Sequence, residues 1–304
     1  MVLIVPIAAI VFVLSLIIGY FIAEPLRLLL KKTRAYRAGA NVVFEQDGRM
    51  LEADELSESL DNLAKKVESQ QADLIRESRR QTEFVSDAAH ELRTPLTAIR
   101  GNAEMLQDPD LPEAMRVKFT DIIVSESERL SRLVSDLLTL QRIERVQMLP
   151  EELSRVNLRQ VAQSVVLALH ALLEERGANV EIIGEAPDVL GSADHLREAL
   201  TNLVENASRF IDPGGHITIE LCGLRGSSVI QVKDDGAGFG DIDPSLLFGR
   251  FYRADLSRAR NTGGTGLGLA IVKSIIDAHD GRIEAVNMPE GGANFIIAIP
   301  SIGS

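Results

Sequence analysis

The sequence is poor in positive charge and almost free of cysteine. Its 304 residues carry 32 Lys and Arg against 44 Asp and Glu, a net charge of −12. Binding to nucleic acid requires a basic face, so we expect no nucleic-acid partner. The single cysteine, Cys222, excludes an intrachain disulfide and a cysteine zinc cluster, and fits a reducing compartment. Tryptophan is absent, but 45% of the residues are hydrophobic, enough for buried cores.

Charge is also missing from residues 1–23. A helix of that length rises about 34 Å, and a bilayer core is about 30 Å thick. The run lacks the basic start of a signal peptide and is too long for a typical buried core helix. Basic residues follow it at Arg27, Lys31, Lys32, Arg34 and Arg37. By the positive-inside rule, this pattern predicts a transmembrane helix over residues 1–23, with the chain from residue 24 in the cytoplasm.

Residues 24–75 show two short amphipathic stretches separated by the connector Gly39–Arg49. Pro25, Gly39 and the run Asp54-Glu55-Leu56 resemble a HAMP linker, a signal-relay module found beside membranes in receptors. An apolar seam this narrow cannot bury itself in one chain. We therefore expect a dimeric parallel coiled coil.

Residues 76–148 carry two further helical repeats. Apolar residues recur every seven positions at Val85, Leu92, Ile99 and Leu106, and again at Ile123, Leu130 and Leu137. Between the two repeats, residues 108–112 include two prolines and predict a turn. The pattern predicts an antiparallel helical hairpin, and two hairpins would form a dimeric four-helix bundle.

From residue 153 to residue 304 the pattern is that of a mixed α/β domain. Helical stretches are predicted at 157–176, 193–210 and 265–279, the first ending at Gly177. The segments suited to strands are Val180–Ile183, Ile217–Cys222, Val229–Val232, Arg282–Val286 and Phe295–Ile299.

His90 lies within the first helix of the hairpin. At about 100° per residue, it lies about 160° from Leu92 and about 140° from Val85, so it faces away from the apolar seam. An exposed imidazole near neutral pH has one free nitrogen that can act as a nucleophile. Glu91 could accept or orient the other ring proton. The alternative is an ordinary surface histidine, which is what most exposed histidines are.

The run His90-Glu91-Leu92-Arg93-Thr94-Pro95-Leu96 resembles the H-box of bacterial sensor histidine kinases. The resemblance implies that His90 accepts the γ-phosphoryl group of ATP and that Glu91 assists. It also implies that Thr94 positions water for dephosphorylation of the partner.

Four later stretches resemble, in the family's order, the ATP-binding boxes of these kinases and of the gyrase and mismatch-repair (GHKL) ATPases. In the first, Asn202 and Asn206 lie at i and i+4 on one helix face. An amide oxygen is a hard ligand suited to Mg²⁺, so Asn206 is the predicted metal ligand and Asn202 its support. Arg209-Phe210 stands where the family usually has Lys-Tyr. Arg209 keeps a positive charge for the phosphates, and Phe210 keeps a ring that can stack but lacks the hydroxyl.

The second box is Asp234-Asp235-Gly236-Ala237-Gly238, in which Asp234 resembles the carboxylate that reads adenine. The third, Leu247–Arg253, includes Phe251 and Arg253 and resembles the F-box, which anchors a lid; here Gly249 replaces the family's acidic residue. The lid is predicted over Asp255–Thr262, with Arg258 and Arg260 near the phosphates.

The fourth box is glycine-rich and opens a helix, where backbone amides can cradle phosphate. Its predicted nucleotide contacts are Gly264, Thr265, Gly266, Leu267 and Gly268. The spacing fits neither a Rossmann loop nor a Walker loop.

Together these features predict a kinase anchored in the inner membrane that takes ATP and Mg²⁺, phosphorylates His90 and passes the phosphoryl group to a response regulator. A mainly phosphatase-active enzyme and a catalytically silent dimeric adaptor remain alternatives. We expect no hybrid kinase, since no receiver domain follows residue 304. No extracytoplasmic sensor precedes residue 1, so the chain is either sensorless or, the reading we favour, truncated before a second membrane helix.

Overall fold

A computed structural model describes residues 4–37, 51–145, 153–253 and 264–302. The chain divides into two compact units, Met1–Val85 and Ser86–Ser304, and the boundary lies within one long helix.

The first unit begins with helix α1, Ile4–Ile18, followed by a π-helical turn at Gly19–Ala23 and by α2, Glu24–Arg37. Among the described residues, no helix is both long and apolar enough to cross a membrane. This finding differs from the transmembrane helix that the sequence predicted for residues 1–23.

Helix α2 packs against the start of α3, which spans Leu51–Met105. Leu29 of α2 and Ala64 of α3 are buried together, with Leu60 packed beside them. The Tyr36 hydroxyl donates a hydrogen bond to the Ala64 carbonyl at 3.3 Å. Two helices of the predicted HAMP region therefore pack within one chain, while the connector Gly39–Arg49 lies outside the described residues.

The second helical pair is formed by α3 and α4, Glu113–Arg145. In the turn between them, the Asp108 carbonyl accepts from the Leu111 amide at 3.3 Å and its carboxylate accepts from the Asp110 amide at 3.0 Å. Arg129 of α4 reaches back to Glu91 of α3. The hairpin predicted from the sequence is present.

Helix α3 continues through Pro95, one turn beyond Glu91. Proline has no amide hydrogen, so the carbonyl of Glu91 has no helical donor at this point.

The hairpin leaves part of its apolar surface uncovered in the single chain. Val85 is 61% exposed and Leu96 is 58% exposed, whereas Leu133, Leu140 and Ile143 of α4 are buried. Helix α4 thus has one covered face, and the hairpin keeps apolar side chains on its surface.

A five-stranded sheet forms the core of the C-terminal domain, in the order β2-β4-β5-β7-β6. All five predicted strand segments lie within these strands. β2 pairs with β4 in parallel and the other pairs are antiparallel. The strands are β2 Asn179–Gly184, β4 His216–Leu224, β5 Ser227–Asp234, β6 Arg282–Asn287 and β7 Ala293–Pro300. A separate antiparallel pair, β1 Ser154–Val156 and β3 Val189–Gly191, was not predicted.

Helices pack against this sheet and complete an α/β sandwich. They are α5 Leu158–Ala168, α7 Ala193–Phe210 and α8 Gly268–Ala278, and the short helix α6 His170–Arg176 contacts α5. The helix predicted over 157–176 is broken at Leu169, and it ends as expected at Gly177, which has a φ of 65°. The helix predicted from residue 265 begins at Gly268, because Gly266 has a φ of 76° that a helix cannot contain.

One buried histidine joins β3 to the end of α8. The His279 ring donates from Nδ1 to the Ile275 carbonyl at 2.7 Å and accepts at Nε2 from the Ser192 amide at 3.1 Å. Burial lowers the pKa of His279. These contacts require the neutral ring, so His279 has a structural role.

Candidate functional site

His90 is exposed on α3, as the helical arithmetic predicted. Its imidazole makes no hydrogen bond within the part of the chain that the structure describes, so both ring nitrogens are accessible. The Thr94 hydroxyl, one turn further on, donates weakly to the His90 carbonyl at 3.4 Å.

Glu91 turns toward α4 instead of toward the neighbouring imidazole. Its Oε2 lies 3.5 Å from Nη2 of Arg129, whose Nη1 is 3.5 Å from Glu126. Arg129 is a residue that the sequence reading missed, because nothing in its local pattern distinguishes it from other charged residues of α4.

The predicted adenine-reading residue is at the end of β5. Asp234 is 4% exposed, and its Oδ1 accepts from the amides of Gly236 at 3.1 Å and Ala293 at 3.2 Å. Burial raises the pKa of Asp234, and the two amide donors partly offset that rise. Among the described residues, Oδ2 has no hydrogen-bond partner, so one carboxylate oxygen remains available to a donor.

The next residue, Asp235, points the other way. Its carboxylate accepts from the His216 amide at 2.9 Å and lies 3.1 Å from the His216 ring nitrogen Nδ1. The two adjacent acids are therefore separated by the strand alternation, with Asp234 inward and Asp235 outward.

The glycines beside Asp234 allow close backbone packing. A Cβ on Gly236 would lie 2.4 Å from the Phe210 carbonyl oxygen, so this loop rests on the end of α7. Gly238 has a φ of 67°, where a side chain is disfavoured. The side chain of Asn287 bridges the same loop, accepting from the Phe239 amide at 2.9 Å and donating to the Gly240 carbonyl at 2.7 Å. This bridge could not be predicted from the sequence, since Asn287 lies 48 residues further along the chain than Phe239.

Helix α7 carries the predicted asparagines. Asn202 donates to the Glu198 carbonyl at 3.0 Å, and its Oδ1 would lie 2.8 Å from a Cβ on Gly268, so it faces the start of α8. The Asn206 side chain is partly exposed and makes no hydrogen bond with any described residue. Arg209 pairs with Glu205 at 3.0 Å, and burial lowers the pKa of Arg209.

The residues on either side of the predicted lid, Phe251 before it and Gly266 after it, lie in contact. A Cβ on Gly266 would lie 3.0 Å from the Phe251 backbone, and Phe251 itself has a φ of 60°. Before this point, Phe248 packs edge to face on Phe295 with ring centres 6.4 Å apart. Arg258 and Arg260 lie outside the described residues.

Arg253 closes the F-box beside the hairpin. Its Nη2 is buried without a hydrogen-bond partner among the described residues. Burial lowers the pKa of Arg253; the nearby charge of Arg129 lowers it further, and that of Glu91 raises it. The C-terminal domain thus brings a guanidinium close to the residue that follows His90.

The glycine-rich loop precedes α8 and places its backbone at the helix N-terminus. Gly264 lies beside Arg209, whose Nη1 would be 3.5 Å from a Cβ at that position. The Thr265 hydroxyl accepts from the Leu267 amide at 3.3 Å and donates to Asp136 of α4 at 2.6 Å. Amides at a helix N-terminus with an arginine beside them form a phosphate-binding arrangement.

Comparison with known proteins finds two family models that match the chain. Residues 80–146 match the model of the His Kinase A (phospho-acceptor) domain. Residues 191–302 match the model described as histidine kinase-, DNA gyrase B-, and HSP90-like ATPase.

Two curated relatives cover most of the chain. The probable sensor histidine kinase TcrY of Mycobacterium tuberculosis is 37% identical over 251 residues, 82% of this chain and 51% of TcrY. Sensor protein SphS of Synechococcus elongatus is 38% identical over 238 residues, 75% of this chain and 57% of SphS. The chain therefore spans about half the length of the curated relatives it matches.

Solved structures share the fold. Histidine kinase ThkA, in complex with the response regulator protein TrrA, aligns with a TM-score of 0.59 at 26% identity, covering 76% of this chain and 66% of ThkA. Histidine kinase AdeS of Acinetobacter baumannii aligns with a TM-score of 0.54 at 26% identity, covering 70% of this chain and 98% of the AdeS chain.

A phosphoacceptor hairpin followed by an ATPase sandwich defines the histidine kinase class of protein. The chain belongs to the sensor histidine kinases of two-component systems.

Proposed function

We propose that this chain is an ATP-dependent protein histidine kinase that phosphorylates His90. The proposal rests on two features of one compact unit. The exposed imidazole of His90 on α3 and one carboxylate oxygen of the buried Asp234 have no hydrogen-bond partner among the described residues. A nitrogen of the His90 ring would attack the γ-phosphorus. The bond to the bridging oxygen would break, and ADP would leave.

The nucleotide would lie between Asp234 and the start of α8. The free oxygen of Asp234 would accept from the exocyclic amine of adenine, and the amides of residues 264–268 would bind the phosphates. Arg209 is placed to add positive charge beside Gly264. The site would thus offer an acceptor for the adenine amine and donors for the phosphates of ATP.

Mg²⁺ fits the amide oxygens of α7. Asn206 has no hydrogen-bond partner among the described residues, and the Asn202 oxygen faces Gly268 at the loop, so Asn206 would hold the ion with Asn202 in support. When bound, the ion would neutralise phosphate charge and help to orient the γ-phosphoryl group.

The acceptor beyond His90 would be an aspartate of a response regulator. The pairing of histidine kinase ThkA with response regulator protein TrrA supports a regulator as partner. We propose that Thr94, on the exposed face of α3, positions water for dephosphorylation of the same regulator. Its hydroxyl makes only a 3.4 Å contact and is therefore easily redirected.

The working form would be a homodimer. The match to the phospho-acceptor domain and the exposed apolar side chains of Val85 and Leu96 support a four-helix bundle made from two hairpins. For residues 24–75, the packing of Leu29 and Tyr36 of α2 on α3 supports a HAMP-type relay.

Incubation with γ-labelled ATP and Mg²⁺ tests the proposal. The protein should acquire a label that is stable in base and lost in acid, because a phosphoramidate hydrolyses in acid. His90→Gln should abolish the label, whereas His170→Gln, at another exposed histidine, should keep it. Label that survives His90→Gln would place the phosphoacceptor elsewhere. A wild-type protein that never labels would favour a silent adaptor.

A further inference from the structure

The phosphate loop is bound to a carboxylate of the hairpin. The Thr265 hydroxyl donates to Oδ2 of Asp136 at 2.6 Å, while its oxygen accepts from the Leu267 amide at 3.3 Å. Asp136 belongs to α4 and lies 129 residues before Thr265 in sequence. This contact therefore joins the hairpin to the loop proposed to receive the phosphates of ATP.

The contact is part of a built interface. Around it, Leu133, Leu140 and Ile143 of α4 are buried, and α4 packs against α8. A second polar contact joins α7 to α4, since the Glu198 carboxylate is hydrogen-bonded to the Thr139 hydroxyl. Burial raises the pKa of Glu198, and the Thr139 hydroxyl partly offsets the rise. Asp136 is thus held in place by apolar packing on its own helix and by a hydroxyl from the opposing domain.

The groups around Asp136 shift its pKa in opposite directions. Burial raises the pKa of Asp136, and the nearby charge of Glu205 raises it too. The Thr265 hydroxyl, Arg209 and Arg132 act in the opposite direction. Arg209 is the cation that also lies beside Gly264. The Asp136 carboxylate and an incoming phosphate would therefore compete for the same arginine and the same loop.

We propose that Asp136 is a positioning residue of the nucleotide site, which holds Thr265 until the phosphates of ATP displace it. The inference rests on the proposed function of the glycine-rich loop. Asp136 and a phosphate bound at this loop would both be negative and would repel each other, so phosphate binding would weaken the contact between Thr265 and α4. By linkage, the contact weakens phosphate binding by the same factor. Nucleotide occupancy and the strength of the contact between Thr265 and Asp136 are therefore coupled.

The test compares Asp136→Asn with wild type in the full chain by calorimetric titration. Asparagine keeps the shape and an acceptor oxygen for Thr265 but removes the charge. We expect ATP to bind about tenfold more tightly to the variant, the size of a charge–charge interaction in a partly solvated site. Adenosine, which has no phosphate, should bind with unchanged affinity. Asp121→Asn, at an exposed acid of the same helix, is the matched control and should change neither ligand.

Each outcome is decisive. Equal gains for ATP and adenosine would show a general loosening of the domain and would overturn the inference, as would unchanged ATP affinity. A wild-type protein that binds adenosine but gains nothing from the phosphates of ATP would instead refute the proposed role of the loop. Should Asp136→Asn fail to fold by circular dichroism, Asp136→Ser removes the same charge with a smaller side chain and is read by the same criteria.

Discussion

The assignment of Asp234 makes a prediction about base selectivity. In Asp234→Asn, the amide oxygen can still accept from the Gly236 and Ala293 amides, which now lie at 3.1 and 3.2 Å from Oδ1. The fold should therefore survive. The amide nitrogen would then take the position of the free carboxylate oxygen. Because the amide nitrogen and the adenine amine are both donors, no hydrogen bond could form between them.

The expected loss is that of one hydrogen bond to a charged acceptor. Such a bond contributes about 1.5–3 kcal/mol, so the Kd for ATP should rise about 10- to 150-fold. Inosine triphosphate carries a carbonyl oxygen in place of the amine and should respond in the opposite direction. It should bind poorly to wild type, where two acceptors meet, and more tightly to Asp234→Asn, where the amide nitrogen can donate.

Titration of both nucleotides against wild type and variant measures this exchange. Asp235→Asn is the matched control, because the Asp235 carboxylate binds His216 and faces away from Asp234. Unchanged ATP affinity in Asp234→Asn would refute the adenine assignment. An equal loss of affinity for both nucleotides would show that the substitution had only disturbed the loop.

Three further predictions address the hairpin and the buried acid. Thr94→Ala should retain autophosphorylation and lose regulator dephosphorylation when both are measured on one preparation; unchanged dephosphorylation would show that Thr94 positions no water. Leu92→Glu combined with Leu137→Glu should dissociate the dimer, as measured by sedimentation, because burying each apolar side chain contributes about 1.5–3 kcal/mol. The control Leu167→Glu, at a leucine that is 77% exposed, should leave the dimer intact. A wild-type chain that sediments as a monomer would rule the four-helix bundle out. Burial raises the pKa of Asp234, so its protonated form stabilises the fold at low pH and this stabilisation is lost as pH rises through the raised pKa. Nucleotide-free Asp234→Asn should accordingly match or exceed wild type in Tm at pH 7, and wild type should gain on the variant as the pH is lowered; the reverse trend would contradict the burial argument.

The sequence predicted the parts of the site that depend on local periodicity. The outward position of His90 follows from 100° per residue. Asp234 was identified by the resemblance of its glycine-containing motif, and its inward orientation was not predicted. The five strands of the main sheet could be found because each is a short apolar run bounded by turn residues.

Long-range contacts could not be predicted in this way. Asp136 and Thr265 are 129 residues apart, and Asn287 reaches a loop 48 residues away. Their side chains look like ordinary surface residues in sequence, since only tertiary packing brings them to their partners. The pair β1 and β3 was missed for a similar reason, because three-residue strands carry too little periodicity to detect.

The proline inside α3 gives the helix a non-uniform stiffness. A regular helix resists bending through its i→i−4 backbone hydrogen bonds. At Pro95 the bond to the Glu91 carbonyl cannot form, because proline has no amide hydrogen. A bending load applied along this 55-residue rod is therefore taken up most readily in the turn that follows His90. His90, the proposed phosphoacceptor, lies beside this weakened turn, where a small bend can reorient the imidazole while the turns on either side keep their shape.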